Sequence, residues 1–219
     1  MSLERLRSIV ALAVPTLFAQ IHGGRIHCES EATLQLHLGR IIALAAELKA
    51  VGPFETFGIE LEKPLTEDRG GRGRLDIWFR LTTGDGANWR CALELKLFKK
   101  ANQREPNNRY DVFKDIARLE RCGDVADLGF MLVATDHRHY IEQSEYSRDT
   151  RDFDFRDGKT YSAGSPLEYR TSKPHGAPIT LASNYTFQWT PDESNLRYLL
   201  LEVIPIGPAS TTPGAMQAV

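Results

Sequence analysis

Residues 74–96 read RLDIWFRLTTGDGANWRCALELK. Two alternating runs, Leu75 to Leu81 and Trp89 to Phe98, flank Thr82-Thr83-Gly84-Asp85-Gly86-Ala87-Asn88, a composition that favours a turn, so the stretch predicts a β-hairpin. Centring the turn on Asp85 puts Asp76 nine residues before it and Glu94 nine residues after it. The two carboxylates are then cross-strand neighbours, roughly 5 Å apart at Cβ. Ile77, Phe79 and Leu81 point to one face with Cys91, Leu93, Leu95 and Leu97, which leaves Asp76, Glu94 and Lys96 together on the other.

Carboxylates held that close repel, and one of them takes up a proton more readily unless a cation lies between them. A hard divalent ion with oxygen ligands, Mg²⁺ above all, relieves the repulsion and keeps positions for water and phosphate oxygens. Lys96 on the same side is placed to orient an attacking water or to stabilise charge developing on phosphorus. Spacing alone favours a simpler reading, a solvated polar face on which Glu and Lys alternate without consequence.

Glu31 weighs against that simpler reading. A helix is predicted from about Glu29 to Lys49, with Leu34, Leu38, Ile41, Ile42, Ala45 and Leu48 on one stripe and Gly52-Pro53 as its stop. At 100° per residue Glu31 falls inside the stripe of Leu34, Leu38 and Ile42. A carboxylate directed inward requires a partner. The alternative is that Glu31 complements the positive end of its helix.

After the hairpin, Asn107 and Asn108 are candidate caps for a helix whose apolar face holds Val112, Phe113, Ile116 and Leu119, with Gly123 as its stop. Leu128 to Ala134 is almost wholly apolar, as a strand buried on both faces is. Strand, helix and buried strand in that order imply a right-handed crossover. At the N-terminus Leu3, Leu6, Val10, Ala13 and Leu17 recur at helical spacing, which predicts a core-facing helix bent or stopped near Pro15. The same segment, with Arg5 and Arg7 before Ile9 to Phe18, partly imitates a signal peptide, but Leu17 stands where the cleavage pattern wants a small residue. Beyond Tyr140 two further strands are expected, Ile179 to Trp189 and Leu196 to Ile204, before an unstructured tail over 207–219.

Arg74-Leu-Asp76-Ile-Trp78 followed by Ala92-Leu-Glu94-Leu-Lys96 resembles the PD-(D/E)XK, or restriction-endonuclease-like, nuclease superfamily. Its core pattern is an Asp at the start of one strand and Glu-x-Lys on the next. An acidic residue on a preceding helix, matched by Glu31, and a helix with a buried strand after the motif extend the likeness over roughly residues 29–135. Leu75 stands where the Pro of the name would be. The resemblance implies an α/β fold with a mixed central β-sheet flanked by helices and C-terminal β additions, one domain over 1–206 with its elaboration from about 140. It also implies that Asp76 and Glu94 bind Mg²⁺ or Mn²⁺ with the Leu95 carbonyl, that Lys96 serves the nucleophilic water, and that Glu31 holds a second ion or an outer water. The implied reaction is hydrolysis of a phosphodiester, leaving a 5′-phosphate and a 3′-hydroxyl.

Charge fits a polyanionic partner only locally. The chain carries 27 basic against 29 acidic residues, but residues 69–121 hold 13 Lys or Arg against 7 Asp or Glu. A local basic excess is what nucleic acid, DNA first, requires. Arg72, Arg74, Lys99, Lys100, Arg104 and Arg109 are the candidate phosphate contacts, being in loops or at element ends. Trp78 shares the Asp76 face, to stack on a base or to cover the sheet. Tyr110 and Lys114 are candidates to face the site from the following helix. His137 and His139 are read either as a metal pair or as ordinary loop residues.

Composition closes off other classes. An apolar share of 42% suits a globular chain, and no apolar run reaches the ~18 residues of a membrane span. Cys28, Cys91 and Cys122 are odd in number and form no CxxC pair, which argues against a disulfide framework or a zinc knuckle and for the reducing cytoplasm. No phosphate-cradling P-loop or dinucleotide fingerprint is present. The expectation is a metal-dependent nuclease. The alternative is a catalytically inactive nucleic-acid-binding or assembly module of the same fold. On either reading the segment after about Tyr140 is expected to carry specificity or a homodimer contact.

Overall fold

The hairpin closes in the register that its spacing predicts. In the structure, a computed structural model that describes residues 3–66, 72–101, 104–142, 145–191 and 195–207, strand β2 (Arg72–Thr82) and strand β3 (Asn88–Phe98) are antiparallel, with Ile77 opposite Leu93 and Thr82 opposite Asn88. The Thr83 amide donates to the Ala87 carbonyl at 2.9 Å, and Gly86 takes the positive φ of 85° that the tight turn demands. Arg72 and Arg74, expected in a loop, belong to β2, because strand β1 (Thr56–Thr66) pairs with it along its whole length.

One irregularity interrupts this pairing, and it falls beside Asp76. Glu62 has φ 54° and lies between the Leu61–Ile77 and Lys63–Leu75 pairs. Left-handed backbone is costly for a residue with a Cβ. Leu75 consequently joins Trp78 in one apolar layer while Ile77 enters the other, and the strict alternation of β2 shifts at Asp76.

β3 continues through helix α3 (Glu105–Arg121) to strand β4 (Leu128–Thr135), which lies parallel to it and is buried throughout. Pro106 starts the helix, whose N-cap is Arg104 with no side-chain cap bond. Asn107 and Asn108 therefore sit in the first turn and do not cap it; their side chains bond the hydroxyls of Tyr169 and Tyr140.

Two helices cover one face of the sheet. Helix α1 (Leu3–His22) runs uninterrupted through Pro15; the hydrogen bond that proline forgoes would have reached the carbonyl of Ala11, an exposed residue on the solvent side of the helix. Helix α2 (Glu31–Leu48) begins at Ser30, whose hydroxyl accepts the Thr33 amide at 3.1 Å. Leu34, Leu38 and Ile42 meet Ile77, Phe79, Cys91, Leu93 and Leu95 in a continuous apolar layer.

The opposite face is covered by α3 and by chain from the C-terminal third, including Phe153, Phe155 and Phe187. After helix α4 (His139–Glu142) come four two-residue strands, β5 (Thr160–Tyr161), β6 (Pro166–Leu167), β7 (Ile179–Thr180) and β8 (Tyr185–Thr186). Ile179 to Trp189 is thus not one strand: β7 pairs β6 and β8 pairs β5. Strand β9 (Arg197–Val203) returns to the central sheet antiparallel to β4, giving the order β1-β2-β3-β4-β9 in a mixed five-stranded sheet flanked by helices. The expected tail lies outside the described residues from 208 onward.

Glu120, near the end of α3, ties the C-terminal chain to this face. Its carboxylate is buried and accepts the amides of Ala182 and Ser183 and the hydroxyl of Tyr185, at 2.8 to 3.0 Å. Glu120→Gln halves the acceptor capacity and is expected to cost about 2 kcal/mol, read as a lower urea midpoint with an unchanged slope. An unchanged midpoint would show the anchor to be without weight.

Candidate functional site

Three elements bring carboxylates to one spot on the sheet. Continuing the β2–β3 register by one step sets Asp76 beside Glu94, and the Leu95 amide donates to Asp76 Oδ2 at 2.6 Å. Glu31, in the first turn of α2, reaches the same strand, its Oε2 accepting the Leu97 amide at 3.2 Å. One turn further along α2, Gln35 donates to the Asp76 carbonyl at 2.6 Å and to Glu62 at 2.8 Å. That pair of bonds links the left-handed Glu62 to the backbone of Asp76.

Two residues of α3 outside the strand motif, neither of them among the candidates above, complete the cluster. Asp115 Oδ2 lies 2.7 Å from Lys96 Nζ, and Arg118 donates to Glu94 Oε1 at 2.8 Å while its NH1 also lies 3.0 Å from Asp115. The signal is present: Asp115 is three residues after Val112 and four before Leu119, inside the apolar stripe, as Glu31 is inside that of α2. Tyr110 takes no part, since it is buried with its hydroxyl on the Ala177 carbonyl.

Burial dominates the electrostatics. It pushes the Glu94 carboxyl well above its ordinary range, assisted by Asp115 and opposed by Arg118. Burial likewise raises Asp76, against the Leu95 amide and Lys96, and raises Glu31, against Lys96. Burial alone would lower Lys96, but Asp115, Glu31 and Asp76 more than reverse this and hold the ammonium above its usual value. Four carboxylates against Lys96 and Arg118 leave two negative charges when all are ionised, the charge a divalent cation neutralises.

The donor set fits a hard ion. Carboxylate oxygens from Asp76, Glu94 and Glu31 with the Leu95 carbonyl are the ligand types of Mg²⁺ and Mn²⁺. Among the described residues no three His, Cys, Asp or Glu are drawn together as a preformed cage. The carboxylates are instead paired by cations, and Lys96 Nζ donates to the Leu95 carbonyl at 3.1 Å. The Leu95 carbonyl keeps a second lone pair beside the one Lys96 uses.

The six basic candidates separate. The side chain of Arg72 lies outside the described residues. Arg74 and Arg104 are exposed, Arg74 within 3.9 Å of Glu62. Lys99 pairs with Glu29 at 3.1 Å, and Lys100 is exposed at the end of β3. Arg109 is not a phosphate contact: it is 1% exposed, stacked 3.6 Å from the Tyr146 ring, bonded to the carbonyls of Thr150 and Phe153 and paired with Glu105. A guanidinium so enclosed orders the loop after α4. Trp78 is core, its indole donating to the Val125 carbonyl at 2.8 Å beneath Lys63. His137 and His139 lie 5.4 Å apart by ring centroid, and the Nδ1 of His137 accepts the His139 amide, a local turn contact. No helix among the described residues is long and apolar enough to cross a membrane. No family model, curated protein or solved structure matches this chain.

Proposed function

We propose that this chain is a metal-dependent nuclease of the restriction-endonuclease-like kind, hydrolysing phosphodiester bonds of DNA. The observation that carries the reading is the cross-strand placement of Asp76 beside Glu94-Leu95-Lys96, with Glu31 reaching the same strand. Asp76, Glu94 and the Leu95 carbonyl would hold Mg²⁺ or Mn²⁺, with Glu31 toward a second ion or an outer water. The bound ion supplies Lewis acidity and a water of lowered pKa.

The chain's own groups do the rest. Lys96 is held in its charged form by Asp115, Glu31 and Asp76, so it is a donor and not a base. Its ammonium orients the water that attacks phosphorus and stabilises the charge that gathers on the non-bridging oxygens. The bond from phosphorus to the 3′-oxygen breaks, leaving a 5′-phosphate and a 3′-hydroxyl. Arg118 holds Glu94 Oε1 and opposes, without overcoming, the burial that favours the protonated carboxyl in the absence of the ion.

A second reading has one observation in its favour. The pairs Lys96–Asp115 and Arg118–Glu94 already bridge the cluster without an ion, as a binding module that keeps the fold without turnover would have them. Calorimetric titration with Mn²⁺ separates the two. The nuclease reading expects wild-type protein to bind the ion and Glu94→Ala to lose that binding; no heat from wild type would favour the module.

A further inference from the structure

A cavity of about 270 Å³ opens where β3 and β4 end, lined by Lys100, Arg138 and Arg197 together with Thr135, Asn195 and Asp136. Register explains its position. Thr135 closes β4 opposite Arg197, the first residue of β9. Each alternates with a residue of the α3-side layer, Val133 and Leu199 respectively. Glu94 and Lys96 are aligned with Met131 and Val133 of that same layer. The cavity therefore shares a sheet face with the carboxylate cluster and lies at the carboxyl ends of the parallel pair, where open α/β sheets bind ligands.

The local charge is positive. Arg197 is buried, with Nε on the Thr190 carbonyl at 2.7 Å and NH1 3.7 Å from Glu142. Asp136 is the carboxylate of the lining; its Oδ1 accepts the Lys100 amide at 2.6 Å and its Oδ2 is 3.9 Å from Lys99. Within the lining Lys100, Arg138 and Arg197 outnumber Asp136 by two; Glu142, 3.7 Å from Arg197, lies outside it. Nearby, His137 is held below its ordinary pKa by burial, and further by His139 and Lys100. Guanidinium forks with an ammonium and an amide are the donors that tetrahedral oxyanions select. The volume is below the ~300–1,000 Å³ of drug-sized ligand sites, which suits a phosphoryl group and its sugar.

We propose that this cavity binds a phosphoryl group of the nucleic-acid strand, a second anchor separate from the scissile position. The identity of the strand rests on the nuclease reading; the anion chemistry does not. Lys100 is four residues past Lys96, so the two points are at most about 13 Å apart along the strand direction, near four base steps of a duplex at ~3.4 Å each.

Fluorescence anisotropy in EDTA, with labelled 12-nucleotide strands bearing or lacking a 5′-phosphate, tests the anchor. Lys100→Ala and Asn195→Asp are each expected to weaken binding about tenfold, and Lys100→Arg to retain it, with melting temperatures of all variants matching wild type. A loss confined to the phosphorylated strand identifies a terminal phosphate, and an equal loss on both strands an internal one; either supports the anchor. Unchanged affinity in Lys100→Ala and Asn195→Asp, or no binding by wild type, overturns it. Hydrolysis of bis(p-nitrophenyl) phosphate by wild type with Mn²⁺ reports separately on the nuclease reading: none, alongside binding that depends on Lys100, removes the activity and leaves the anchor.

Discussion

Asp76→Asn and Glu94→Gln are each expected to slow divalent-metal-dependent nicking of supercoiled plasmid about 10³-fold or more. A bound ion contributes several kcal/mol to stabilising transition-state charge, and each 1.36 kcal/mol is about tenfold in rate. Both amides keep the shape of the acid they replace. In Asp76→Asn the side chain retains an oxygen for the Leu95 amide, and in Glu94→Gln it retains one for Arg118, so the contacts at 2.6 and 2.8 Å survive. What they lose is charge toward the ion. Melting curves of the metal-free variants should accordingly lie at or above that of wild type, because a neutral side chain is easier to bury than Glu94 ionised. Nicking that persists within tenfold of wild type in both purified variants would reject the site.

The site is legible where chemistry follows a short period. Alternation in β2 and β3 decides which face carries Asp76, Glu94 and Lys96, and a symmetric turn sets the register. Glu31 stands out because it breaks an apolar helical stripe. Asp115 breaks the stripe of α3 in the same way, and the inward direction of Arg118 depends on it. Neither belongs to the strand motif, so a reading led by the motif passes over them.

Other features are illegible for physical reasons. The left-handed Glu62 is imposed by pairing across β1 and β2 and leaves no mark on a Glu. Arg109 looks like a surface cation until the carbonyls of Thr150 and Phe153 enclose it, contacts made more than forty residues away. Strands of two residues, such as β5 to β8, are too short to show any period. The pairing of β9 with β4 joins segments across the whole C-terminal third, which local pattern does not encode.

Stabilisation by Mg²⁺ is expected to grow steeply between pH 5 and pH 8. In the metal-free protein burial raises Glu94, Asp76 and Glu31 above their ordinary values, which are ~4.3 for Glu and ~3.9 for Asp in an unfolded chain. Between those values and the raised ones the folded state binds more protons than the unfolded state. The sign follows from linkage: the contribution of these groups to stability is complete below pH ~4 and is lost as pH rises through the folded pKa values. An ion reverses the balance, since it takes the place of the protons that the buried carboxylates otherwise retain. Each proton released on binding makes affinity about tenfold tighter per pH unit below the raised pKa, or ~1.4 kcal/mol of added stabilisation per unit once the ion is in excess. Differential scanning fluorimetry with and without 10 mM MgCl₂ reads this as a melting shift that is small at pH 5 and large at pH 8 in wild type. Glu94→Gln, lacking the most strongly raised group and a ligand, should show a small shift at both. Equal shifts at the two pH values in wild type would mean that the ion, if bound, sits away from the buried carboxylates, and the electrostatic account of the cluster would fall with it.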